Sequence, residues 1–264
     1  MSFLETWIEA TAWGMDKPKA YGAFHLIFTF AGLAVCILLA YLLRNTGKRG
    51  NRAVLLGVGA FLLLTEIYKQ LFYYYYIGDH SYEWWIFPFQ LCSVPMYLCL
   101  IAPFLKEGRV QAAMYHFMTT FNLLGGVMAF IEPSGIVHEY WTLTLHAFVW
   151  HMLLIFVGFY LIASGRGAKT MKDYRSSVAL FLSLAVIAFA INLIFWIPSE
   201  GTIKMFYVGP ATSPLLVFEQ ISRACGWLVC DLVYIPAVCA GAFLMFLPAY
   251  LYERRKGKKQ QMSA

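Results

Sequence analysis

The chain has 264 residues, of which 61% are hydrophobic and only 13% are charged, with a net charge of +6. Soluble domains carry about 25% charged residues, so this composition excludes an ordinary soluble enzyme. The basic residues are split among short loops, which also argues against a nucleic-acid binder.

Residues 1–20 hold no apolar run of signal-peptide type. They are expected to form a short outer segment, with the first apolar helix acting as the insertion signal. Apolar runs of about 20 residues cross a hydrocarbon core as helices. Seven are predicted, at 21–43, 53–77, 84–105, 109–131, 140–162, 176–197 and 224–251. The expected fold class is therefore all-α, a polytopic membrane bundle of seven transmembrane helices spanning 21–251, followed by a basic tail at 252–264. The connections are short except for 198–223, which contains Pro198, Pro210 and Pro214. Long loops often act as lids. Its end, 215–223, reads as a helical entry lying on the membrane surface. Pro236 is expected to kink the last span.

Loop charges alternate. The segments 44–52, 106–109, 163–175 and 252–264 hold fifteen Lys and Arg, whereas the intervening segments hold four. The positive-inside rule then places the N-terminus outside and the C-terminus in the cytoplasm. The expected location is a bacterial plasma membrane, or the endoplasmic reticulum membrane in a eukaryote. A basic tail also suits contact with anionic lipid.

Seven ionisable residues lie well inside the apolar runs. At 1.5 Å per residue, Cys92, His146, His151, Lys69, Glu66 and Asp231 fall about 9–16 Å below the outer surface. His25, Asn122 and Asn192 belong to the same half, and His116 lies nearer the inner end. Buried charge is costly, and residues that bear it often mark function. Glu66 and Lys69 are three apart and share a helix face, so a neutralised ion pair is the competing bland reading. His146 and His151 are five apart, about 140° around a helix. One is expected to face a cavity and the other a neighbouring helix, where an interhelical hydrogen bond would account for it.

Cys92 is bracketed by Pro88 and Pro95 and flanked by Gln90 and Ser93. For a membrane cysteine taken alone, packing is the bland reading. The prolines each remove a backbone donor and loosen the segment. A thiol becomes nucleophilic when a base or positive charge ionises it, and a histidine of the fifth span at matching depth supplies one. Gln90, Asn122 and Asn192 are amide donors suited to an oxyanion. The six cysteines lie within the apolar runs and read as packing residues rather than a disulfide framework. Tyr73–Tyr76, Tyr82, Trp84, Trp85, Tyr140 and Trp141 read as an interfacial aromatic belt. Gly125, Gly126 and Gly158 read as close helix packing.

The run Phe87-Pro88-Phe89-Gln90-Leu91-Cys92-Ser93 resembles the YwaF-like bacterial integral membrane proteins and their animal relative, transmembrane protein 164. The resemblance continues at Leu145-His146, at Trp150-His151, and from Asn192 through Tyr207, Gly209-Pro210 and Pro214. It implies a multi-helix membrane enzyme acting on lipid acyl groups. The animal member is described as a phospholipid acyltransferase using a cysteine and a histidine, and related animal membrane proteins hydrolyse lipid esters with threonine and histidine. By motif position Cys92 is then the nucleophile and His151 or His146 the base.

The leading expectation is a lipid acyltransferase or lipid-ester hydrolase with a Cys–His pair in the outer half of the bilayer, membrane lipids as substrate, and no cofactor or metal. Glu66, Lys69, Gln90, Asn122, Asn192 and Asp231 would bind substrate or support the pair. The alternative is a proton-coupled or small-solute transporter built on Glu66, Lys69 and Asp231. A metal-dependent hydrolase fits less well, because His146 and His151 lack the i, i+4 spacing zinc favours. A non-catalytic lipid-binding scaffold is the remaining reading.

Overall fold

A computed structural model describes residues 3–262. Met1, Ser2, Ser263 and Ala264, the extremes of the expected outer segment and basic tail, lie outside the described residues. The chain is all-helical: α1 Phe3–Thr11, α2 Ala23–Leu43, α3 Lys48–Phe72, α4 Val94–Ile101, α5 Arg109–Met118, α6 Phe121–Ile131, α7 Trp141–Ala163, α8 Met171–Ile194 and α9 Leu216–Met262. Among the described residues, six helical stretches are long and apolar enough to cross a membrane, and Val94–Phe104 is a shorter apolar one.

The third predicted span is therefore corrected. Residues 84–93 form a short turn and irregular backbone, and α4 starts only at Val94. Apolar composition alone cannot separate a helix from a buried coil. Pro88 and Pro95 each lack a backbone donor. The Tyr97 hydroxyl instead fixes this entry by donating to the Pro88 carbonyl at 2.7 Å.

The fourth predicted span is one stretch broken at Thr119 and Thr120, between α5 and α6. Both hydroxyls donate to the His116 carbonyl, at 3.0 and 2.8 Å. Side chains that claim backbone carbonyls compete with the helical ladder.

The sixth span starts five residues earlier than predicted because Thr170 and Asp173 form a capping box. The last helix begins at Leu216, which includes the expected 215–223 entry, and turns at Gly226, whose φ of 82° suits glycine.

Helix α7 is the axis of the bundle. It packs against α2, α3, α5 and α6, and its sides are buried nearly all round, as expected of a core helix. By contrast α2 buries little beyond His25, Cys36 and Ala40 and exposes Ile27, Phe30 and Leu42, a surface made for lipid. Before it, α1 caps one end of the bundle. The Ile8 side chain there is fully buried, the Thr11 hydroxyl meets the Tyr68 hydroxyl at 2.7 Å, and Trp141 N–H donates to the Trp13 carbonyl at 2.9 Å.

The small residues behave unequally. A methyl added at Gly126 would stand 2.9 Å from Ile155 and 3.2 Å from the His151 carbonyl of α7, whereas Gly125 faces open space. At Gly158 it would meet Leu123 at 3.1 Å. Gly126→Ala is expected to destabilise by about 1–3 kcal/mol through overpacking. Gly125→Ala should be neutral or slightly stabilising, since alanine is the better helix former. Thermal unfolding in detergent reads the difference.

Candidate functional site

Cys92 lies in the turn that leads into α4. Its carbonyl accepts a hydrogen bond from the Trp150 indole at 3.0 Å. Trp150 is nine residues into α7, about 14 Å along its axis, so the irregular segment 84–93 descends into the bundle before α4 begins. The amino end of α4, with its partial positive charge, thus sits in the interior beside the thiol.

Two histidines of α7 lie on either side of Trp150 in the sequence. The His151 Nδ1 is 2.7 Å from the Ala147 carbonyl one turn back. A carbonyl can only accept, so Nδ1 holds the hydrogen and Nε2 keeps the lone pair. The His146 ring leans on Trp150, with centroids 5.3 Å apart, and reaches the Thr65 backbone of α3. Its Nε2 is sealed from solvent without a partner. The five-residue spacing thus splits the pair: His146 turns toward α3, the neighbouring helix, and His151 is held by its own helix.

Lys69 of α3 lies within electrostatic reach of Cys92, His146 and His151. It pairs with Glu66 at 2.9 Å. Glu66 is buried, accepts from Gln70 at 2.7 Å, and leaves its Oε2 without a partner. The shared helix face read from the sequence is thus occupied by an ion pair. Gln70 also donates to the Ile86 carbonyl at 2.8 Å, tying α3 to the segment before Cys92.

The other predicted members have structural partners. Gln90 donates to the carbonyls of Trp85 at 3.2 Å and Lys204 at 3.3 Å. Asn122 donates to Met118 and Leu154, both at 3.0 Å. Asn192 donates to the carbonyls of Met205 at 3.0 Å and Val208 at 2.7 Å, and accepts the Met205 N–H at 2.7 Å. Asp231 accepts the Gly209 N–H at 2.8 Å. These amides already spend their hydrogens on backbone. His25 accepts the Tyr21 N–H at 3.2 Å, stacks on Phe130, and leaves its Nε2 without a partner. His116 contacts Ser176 at 2.8 Å and Asp173 at 3.7 Å, which makes it a strut between α5 and α8.

The middle of the long loop does not lie over the surface. Ile203, Met205, Phe206 and Val208 are buried, and Phe206 stacks on Phe89 with centroids 5.8 Å apart. Phe206 and Tyr207 take φ values of 54° and 56°, a left-handed backbone that costs a non-glycine residue energy. The Asn192 and Asp231 bonds hold it there. Tyr207 and Tyr234 come within electrostatic reach of Cys92.

Two members escape a reading of apolar runs. Trp150, which holds the Cys92 backbone, hides among the bundle's aromatics. His138 sits in the loop before α7, where its N–H donates to Thr144 Oγ1 at 2.9 Å. Burial, then Lys17 and Lys69, drives His138 down to about 4, so it is neutral at physiological pH. Its electrostatic contact with His146 depends on the loop folding back, which local spacing does not encode.

All six cysteines are free. Cys36 and Cys99 are buried as expected, whereas Cys225 is exposed. Among the described residues, no group of three or more His, Cys, Asp or Glu side chains is placed to hold a metal ion.

The TMEM164 family model matches residues 20–254. No curated protein and no solved structure matches the chain.

Proposed function

The chain belongs to the TMEM164 family of membrane proteins, and from that footing we propose that it moves acyl groups of membrane lipids through Cys92, as an acyltransferase or lipid-ester hydrolase. The observation that supports this reading is the thiol's setting. Cys92 lies at the buried amino end of α4, its carbonyl fastened by Trp150, the residue before His151 in α7, and the Lys69 ammonium is in electrostatic reach of both Cys92 and His151. A thiol becomes a nucleophile when a base takes its proton.

In this mechanism His151 Nε2 takes the Cys92 proton as sulfur attacks the ester carbonyl. The tetrahedral intermediate collapses, the lipid alkoxide leaves with the proton from His151, and an acyl thioester remains. Water or a lysophospholipid hydroxyl then gives its proton to His151 and attacks the thioester. The leaving thiolate recovers that proton. Lys69 is the group assigned to balance negative charge on sulfur or the oxyanion, because the Asn122 and Asn192 amides are engaged elsewhere. With the basic end in the cytoplasm, this chemistry falls in the non-cytoplasmic half of the membrane, near the ester linkages of that leaflet.

The test is to trap the thioester. Purified protein given phospholipid with a labelled acyl chain should acquire a hydroxylamine-sensitive adduct on Cys92, absent from Cys92→Ala. An adduct undiminished in Cys92→Ala would end this reading.

A second reading, transport, draws on the two interrupted membrane segments, 84–104 and 109–131, and on the unpartnered Glu66 Oε2. Interrupted helices and buried carboxylates are transporter devices. Solute flux into liposomes that disappears in Glu66→Gln would favour it.

A further inference from the structure

The loops whose charges set the expected topology do not merely point into water. Three of them converge on one cavity of about 500 Å³, lined by Lys48, Arg49 and Arg52 at the start of α3, Gly108 and Gln111 at the start of α5, and Arg166 from the α7–α8 connection. We propose that this cavity, at the opposite end of the molecule from α1, binds a phosphate-bearing anion. The inference is independent of the chemistry assigned to Cys92.

Charge is the first argument. Four cationic side chains line the cavity, with Glu107 also in its wall. Glu107 pairs with Lys48 at 2.9 Å, and both are exposed at the lip. That leaves Arg49, Arg52 and Arg166 without a carboxylate partner in the cavity wall.

Geometry is the second. Arg166 is held by one arm, its Nη2 donating to the Thr46 carbonyl at 2.7 Å. Its Nη1 is sealed from solvent and has no hydrogen-bond partner. An atom with no accessible surface is out of an anion's reach, so contact with a ligand falls to the part of the Arg166 guanidinium that lines the cavity. The floor beneath is preorganised. Tyr160 donates to Asn51 at 3.1 Å, Asn51 donates to Tyr115 at 3.1 Å, and Thr46 meets Tyr160 at 2.7 Å. This network fixes the loop that carries the Arg166 anchor.

The backbone adds a third. Helices α3 and α5 both begin at the cavity, behind Gly47 and Gly108, and neither has a side-chain cap. Free N–H groups at a helix start favour negative charge. Planar guanidinium forks match phosphate oxygens. The volume lies within the usual range for small-ligand sites and accommodates a glycerophosphate group as well as a bare phosphate. The ligand therefore comes either from an anionic lipid headgroup or from a free phosphate compound.

The experiment uses the full chain in phosphatidylcholine nanodiscs. One arm titrates inorganic pyrophosphate and glycerol 3-phosphate and follows thermal stabilisation. The other incorporates a minority of phosphatidylglycerol and counts retained lipid by native mass spectrometry. Binding is expected in at least one arm; the first identifies a free phosphate and the second a lipid. Arg166→Gln should weaken it about tenfold or more. Because Arg166 also braces Thr46, Arg49→Gln with Arg52→Gln, both on the exposed rim, provides a second variant expected to do the same. Lys17→Gln with Lys19→Gln, exposed at the opposite end beside α1 and outside the cavity lining, should leave binding unchanged. Absence of binding in both arms, or equal loss in this variant and the rim variant, overturns the proposal.

Discussion

His151→Ala is expected to slow acylation of Cys92 by about a thousandfold, and His146→Ala by less than about tenfold. A positioned general base contributes about 10² to 10⁴ in rate, and a thousandfold loss corresponds to about 4 kcal/mol of activation energy. The ranking follows from the two imidazoles' surroundings. With its Nδ1 hydrogen given to Ala147 at 2.7 Å, His151 presents a fixed lone pair on Nε2. It adjoins Trp150, whose indole fixes the Cys92 backbone. His146 is turned to Thr65, and its Nε2 is shut away from solvent. A nitrogen so placed cannot deprotonate an incoming water or lysolipid hydroxyl without rearrangement. Single-turnover labelling, measured beside the thermal stability of each variant, separates the roles. If His146→Ala falls a thousandfold while keeping its melting temperature and His151→Ala does not, the assignment is reversed.

The membrane architecture was legible in the sequence because lipid imposes a length and an apolar composition on every spanning helix. The runs at 21–43 and 140–162 therefore agree with α2 and α7 to within two residues. The same rule misleads at 84–93, where an apolar stretch enters the bundle without forming a helix. Pro88 and Pro95 signalled loosening there but not its extent. The 203–208 stretch fails in the opposite sense. Its place in a long connection suggested a surface lid, yet Met205, Phe206 and Val208 are packed inside. An apolar loop can be buried if its backbone groups find partners, and those partners, Asn192 and Asp231, lie on other elements. Such pairings are non-local, so no spacing in the sequence announces them. The candidate site divides similarly. Cys92, Glu66, Lys69, His146 and His151 were visible as chemistry out of place in apolar runs. His138, and the grip of the motif residue Trp150 on the Cys92 carbonyl, came to light only through folding.

The Asn192 anchor carries the largest structural consequence. Asn192→Leu removes three short hydrogen bonds at once, to the Met205 N–H and to the carbonyls of Met205 and Val208. Leaving a buried polar group unmet costs about 1–3 kcal/mol, so a loss of about 4 kcal/mol is expected even if one group finds a new partner. The left-handed Phe206 and Tyr207 and the φ of 100° at Gly209 would then lack the contacts that hold them. Gln90 bonds the Lys204 carbonyl, so disorder in this loop should also spread to the segment carrying Cys92. Asn122→Leu is the matched comparison. Asn122 donates twice, and its Oδ1 has no partner to lose, so a smaller cost of about 2 kcal/mol is expected. Thermal unfolding should rank the two variants. Limited proteolysis should find new cleavage at 200–210 in Asn192→Leu alone, and acyl labelling of Cys92 should fall with it. Should Asn192→Leu remain within about 1 kcal/mol of the parent with the loop still protected, the loop is held by its apolar packing on Phe89 and Phe181 instead, and Asn192 is not its anchor.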